Sequence, residues 1–185
     1  MVEIVNEPAR IGQQVRVPGH GLVVSLRWGA DVEMDIMALY VARDGRIGRI
    51  YSKVYPGGDS GNLHCFPFMQ IADGPLTGYG MRNQENLLIT TLEAMREVHI
   101  AAFSYTDLAM GRTEALAAYR VKVAVRSHGA ITHEIPLVTP KAGHLAMICM
   151  FDASNPLRIR LVNVNEVVTL DMHRWSGREK HCCGR

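Results

Sequence analysis

Apolar and polar residues alternate along much of the chain with a period of two. Leu22, Val24, Leu26 and Trp28 alternate with Val23, Ser25 and Arg27. Tyr119, Val121, Val123 and Val125 alternate with Arg120, Lys122, Ala124 and Arg126, so one side of that run is apolar and the other nearly all basic. Successive strand residues point to opposite faces, and such runs predict strands with one wet face. Ile131, His133, Ile135 and Leu137 repeat the pattern. Pro136 cannot donate to a ladder, which places that run at an edge or beside a bulge. Residues 36–42 and 145–151 are apolar on both faces and predict central strands. The expected core holds Leu26, Trp28, Leu39, Val41, Ile89, Ile100, Phe103, Val121, Val123 and Met147.

Turn residues punctuate these runs. Asp44-Gly45 between two apolar segments is the strongest hairpin signal. Residues 57–62 and 72–80 read as loops, while Ser127-His128-Gly129 and residues 152–156 separate strands. Helix signals are few: one turn at 93–97, and an alanine-rich stretch at 113–118 with Thr113 as N-cap, extending back to Asp107. The expectation is an all-β, mainly antiparallel β-sandwich of about ten strands with one or two short helices.

Composition narrows the class without naming an activity. With 48% hydrophobic and 21% charged residues in 185, the chain is too apolar to be disordered. A formal charge of +2 is too balanced for a nucleic-acid binder. Neither a signal peptide nor a membrane span is visible, so a cytoplasmic location is expected, with any membrane association made through a complex. Residues 172–185 carry four of the 20 basic residues and one of the 18 acidic ones; without them acids outnumber bases. That segment reads as an unstructured basic tail on a domain spanning 1–171, with Trp175 as the residue able to dock on the body. It also holds His181-Cys182-Cys183, a soft-metal or oxidant-sensitive pattern. Cys65 and Cys149 lie in apolar surroundings and read as buried thiols.

Three groups of residues suggest chemistry. Gly58-Asp59-Ser60-Gly61 is similar to the nucleophile loop of chymotrypsin-like serine proteases, but a serine nucleophile needs a base, and His20 is the only upstream histidine. Ser60 is therefore expected not to be a nucleophile. The eight histidines show no zinc-site spacing. Asp35, together with the segment 73–86, offers carboxylate and amide oxygens among glycines, the donor type that calcium takes.

The order of these motifs resembles the TerD family of bacterial tellurium-resistance and stress-response proteins, over roughly residues 11–170. Leu26-Arg27-Trp28-Gly29, Met34-Asp35-Ile36-Met37-Ala38, Leu39-Tyr40-Val41 and Asp44-Gly45 follow the family's opening strands. Asp73, Leu76-Thr77-Gly78, Gly80 and Asn83-Gln84-Glu85 follow its acidic loop, and Tyr119-Arg120-Val121 a later strand. The resemblance implies a β-sandwich and a non-enzymatic binding module, with protein partners and calcium as the possible cofactor. It implies Asp35, Asp73, Asn83 and Glu85 as ligands. Met37 replaces an acid of the strand pair, Met81 and Arg82 stand where the family has Asp and Gly, and Asn83 and Gln84 replace acids. A weakened or lost calcium site follows. Two alternatives stand beside this reading: a metal-independent β-sandwich interaction domain, and a serine hydrolase using Ser60.

Overall fold

The computed structural model describes residues 10–29, 31–72 and 83–168. Among them, twelve strands form two six-stranded antiparallel sheets around one main core. Sheet A has the order β1 (Gln14–Arg16), β12 (Arg160–Val168), β11 (Leu145–Asp152), β8 (Met95–Ser104), β3 (Met34–Ala42), β4 (Ile47–Ile50). Sheet B has the order β10 (Ala130–Pro136), β9 (Lys122–Ser127), β2 (His20–Arg27), β7 (Gln84–Thr91), β6 (Met69–Ala72), β5 (Gly61–Asn62). The all-β sandwich is as the alternation predicts, with twelve strands where about ten were expected. No helix among the described residues is long and apolar enough to cross a membrane.

Sheet B follows the period-two reading closely. Leu22, Val24 and Leu26 of β2, Val123 and Val125 of β9, and Leu87 and Ile89 of β7 enter the core. Asp44-Gly45 closes the β3–β4 hairpin, with Gly45 at φ 87°, where a side chain would be strained. β10 is an edge strand and carries a bulge between Ile131 and His133. The extra residue reverses the facing of what precedes it, so Ile131 pairs with Arg126 on the outer face and is 40% exposed, against the simple alternation.

Sheet A departs more. On β3 the inward side chains are Met34, Ile36, Ala38, Tyr40 and Ala42, so Leu39 and Val41 are half-buried on the other face. Both faces of β3 are apolar, because loop residues Tyr51 and Tyr55 and a short helix pack outside sheet A over Met37, Ala101, Phe103 and Leu145. Met147 lies on that second cluster beside a bulge in β11, and Trp28 is half-buried at the rim of the main core. The turn expected at 93–97 is instead the corner by which β7 of one sheet becomes β8 of the other; Leu92 and Met95 are fully buried there, and Met95 N–H bonds to Leu92 C=O at 2.9 Å. Residues 107–118 are not one helix. Helix α1 (Tyr105–Ala109) is capped by Ser104, and a separate 3-10 turn (Leu116–Tyr119) ends at Arg120 in the left-handed region. Thr113 caps neither. Cys149 is buried as expected, whereas Cys65 is exposed in the turn preceding β6.

Candidate acidic cleft

At one end of the sandwich the chain leaves β2, crosses from sheet B to sheet A, and enters β3. Trp28 shapes the crossing: its indole N–H donates to the Val32 carbonyl at 2.8 Å. The acids Asp31, Glu33 and Asp35 then fall at every second position. Asp31 and Glu33 are exposed, and Asp35 is 9% exposed. Helix α1 fixes the rim, where the Glu33 N–H donates to the Thr106 hydroxyl at 3.0 Å.

The start of β7 supplies the opposite wall. Asn83 has φ 73°, a left-handed conformation that asparagine tolerates better than most residues, and its carbonyl accepts from Trp28 N–H at 3.3 Å. Glu85 lies opposite Leu26 in the register and therefore leans inward between the sheets. Its carboxylate accepts the Ile36 N–H of β3 at 2.7 Å, beyond the point where pairing with β4 stops at Ala38. A side chain of sheet B thus satisfies a backbone donor of sheet A.

These residues line a cleft of about 630 Å³. Asp31, Glu33, Asp35 and Glu85 contribute four carboxylates, and none of the described residues lining it is basic. The Tyr55 hydroxyl donates to Asp35 Oδ2 from the loop between β4 and β5. Burial pushes the Asp35 carboxyl above the usual carboxylate range; the Tyr55 hydrogen bond opposes this, and the charge of Glu33 adds to it. The Tyr55 phenol is itself pushed up, first by burial and then by the bond to Asp35.

Of the ligands implied by the resemblance, Asp35, Asn83 and Glu85 line this one cleft, while Asp73 and the segment Thr77–Gly80 with Arg82 lie outside the described residues. Among the described residues no group of three His, Cys, Asp or Glu side chains is arranged to hold a metal ion. Calcium takes six to eight oxygens, and of the four implied ligands the described residues bring Asp35, Asn83 and Glu85 to the cleft. Ser60 is 7% exposed, and among the described residues no hydrogen bond joins its hydroxyl to a histidine. Asp31, Glu33 and Tyr55 were not singled out from the sequence. The first two carry a readable signal, acids at every second position (31, 33 and 35) leading into β3; Tyr55, in a glycine- and proline-bearing loop, carries none.

No family model matches the chain, and none of the curated proteins does. Similar solved structures include two that cover most of this chain. One is a homologue of telluride resistance protein (TerD) from Streptomyces coelicolor A3(2), at 13% identity and a TM-score of 0.57, over 85% of this chain and 96% of that one. The other is a protein of unknown function, at 8% identity and a TM-score of 0.54, over 82% of this chain and 94% of that one. At these identities the likeness is one of architecture, and the chain has the β-sandwich fold of the TerD homologue.

Proposed function

We propose that the protein is a non-enzymatic, TerD-like binding module of a bacterial stress or tellurium-resistance response, acting through protein partners, in which the calcium site has degenerated. The observation that carries this reading is the state of two carboxylates that line the cleft. Asp35 is engaged by the Tyr55 hydroxyl and Glu85 by the Ile36 amide. A protein donor engages one oxygen of each of these carboxylates, and burial penalises the charge on Asp35. Each carboxylate lost or engaged removes both a ligand and attraction that offsets dehydration of the cation. Calcium affinity then falls to the weak end of protein sites, about 10⁻⁴ to 10⁻³ M, or disappears. Similarity of fold to the TerD homologue supports the module; the cleft supports the loss of strong metal binding.

The test is a calcium titration of chelator-stripped protein followed by backbone amide resonances. The expected result is no shift at micromolar calcium, with shifts confined to residues 31–36 and 83–86 in the millimolar range. Saturation at micromolar calcium would contradict degeneration. Fluorophosphonate labelling of Ser60, lost in Ser60→Ala, would contradict the non-enzymatic reading.

A further inference from the structure

The outer face of sheet B carries a polar system that the cleft does not use. Leu22, Val24, Leu26, Leu87, Ile89, Val123 and Val125 fill the core. Their neighbours Val23, Ser25 and Arg27, then Asn86 and Leu88, then Lys122, Ala124 and Arg126 therefore face away from it. The register sets them in rows: Arg27 between Gln84 and Lys122, Ser25 between Asn86 and Ala124, Val23 between Leu88 and Arg126.

A chain of hydrogen bonds crosses three strands. Arg126 Nη1 donates to Ser25 Oγ at 2.7 Å, and Ser25 Oγ donates to Asn86 Oδ1 at 2.7 Å. Gln84 Nε2 donates to the same Asn86 oxygen at 3.1 Å, and Arg27 Nε donates to Gln84 Oε1 at 2.9 Å. Ser25 and Asn86 are both fully buried. The network fixes two guanidinium groups and consumes the available acceptors. What it leaves over are donors: the remaining N–H groups of both arginines, and Asn86 Nδ2, which is buried with no hydrogen-bond partner among the described residues. Lys122 pairs with Glu134 at 2.9 Å, but among the described residues no carboxylate pairs with Arg27 or Arg126. Partial burial and the charge of Arg27 disfavour the Arg126 cation, and Glu134 on the neighbouring strand, already paired with Lys122, only partly offsets them. Such a face is complemented by acceptors bearing negative charge.

We propose that this face docks an acidic segment of a partner protein in extended conformation, with carboxylates at alternate positions on Arg27 and Arg126. The backbone of Arg126 stands opposite Val23, but its guanidinium reaches the Ser25 row through its bond to Ser25 Oγ, and that row lies two residues from Arg27 along β2, about 7 Å at strand rise. Side chains two apart on an extended segment are separated by the same distance. Val23 and Leu88, half-buried, and Ile131 on the same face give apolar surface for the residues flanking the acids. A free oxyanion matches less well, since one ion cannot span both anchors. Nucleic acid matches less well because no aromatic side chain lies on this face of the described strands to stack a base.

The probe is a short fluorescein-labelled peptide alternating Glu and Val, followed by fluorescence anisotropy at low salt and by amide resonances. Saturable binding is expected, with perturbations at residues 23–27, 84–88 and 122–126 and a loss of affinity as salt rises. Arg27→Gln and Arg126→Gln should each weaken it about tenfold, the worth of a charged hydrogen bond. Arg126→Lys should retain part of it. Melting curves check that the variants fold, and the resonance map on the unsubstituted protein decides the matter if they do not. The proposal is overturned if the peptide does not bind, or if its perturbations fall on the acidic cleft. It is also overturned if inorganic phosphate or a single-stranded oligonucleotide binds this face more tightly than the peptide. Self-association through the same residues, seen by sedimentation, would replace the partner with a second copy of the chain and overturn it likewise.

Discussion

Asp107 and Asp35 are both buried aspartates near the same end of the sandwich, and they are treated very differently. Asp107 is fully buried, yet its carboxylate accepts from the Ser104 hydroxyl at 2.8 Å, from the Tyr119 hydroxyl at 2.9 and 3.1 Å, and from Arg112 Nη2 at 3.1 Å. It ties β8, α1 and the 3-10 turn into one knot, and the Tyr119 phenol is pushed up to about 12, first by burial and then by the bond to Asp107. Asp35 has the Tyr55 hydroxyl and Glu33, Asp31 and Glu85 lining the same cleft. A buried charge is tolerable when its lone pairs are filled and a counter-charge is close. Asp107 meets both conditions and is a structural group. Asp35 meets the first in part and the second not at all, which makes it a group held for a cleft.

If that contrast is right, Asp107→Ala gives the largest effect. It strands Tyr119 and Ser104 and releases Arg112, for a loss of about 3 kcal/mol, read as a fall in melting temperature of about 6–12 °C. Tyr119→Phe should cost about 1.5 kcal/mol, because it removes a donor to a buried charge. Tyr55→Phe should cost less, about 0.5–1 kcal/mol, since Asp35 keeps access to water through the cleft. Equal losses in the two tyrosine variants, by chemical denaturation, would erase the distinction between knot and cleft.

Asp35→Asn sharpens it from the other side. The amide oxygen still accepts from Tyr55, and the penalised charge is gone, so the variant should melt no lower than the unsubstituted protein at pH 7. The sign of the pH dependence follows. A carboxyl raised in the folded state binds more protons there than in the unfolded chain, so stability falls as pH rises from about 3.8 through the folded value. The unsubstituted protein should therefore lose ground to Asp35→Asn across that window and hold a constant deficit above it. A widening advantage of the unsubstituted protein with rising pH would mean that the Asp35 charge is stabilised in the fold.

The sequence makes some of this legible and hides the rest for identifiable reasons. Period-two alternation marks β2 and β9 and their faces because one side is polar. It failed on β3, where Leu39 and Val41 look as internal as Ala38 and Tyr40, because a second cluster covers the outside of that sheet. The corner at 92–95 has helix-like composition, but two fully buried apolar residues pin it between the sheets. Asp35, Asn83 and Glu85 were reached through family resemblance and do line one cleft. Tyr55 was unreachable, since nothing local marks a tyrosine that folds back on an aspartate in another segment. The knot did leave a trace: Ser104 and Asp107 have the spacing of a capping box, with the Asp107 N–H donating to Ser104 Oγ at 3.3 Å.

The most direct test of the account is a carboxyl-carbon resonance titration of Asp35 against pH, in unsubstituted protein and in Tyr55→Phe. The account predicts a midpoint above the ordinary 3.8 that moves higher still when the Tyr55 donor is removed. A midpoint at or below 3.8 would show a carboxylate stabilised in its charged form, poised to bind a cation, and would contradict the picture of a degenerate calcium cleft.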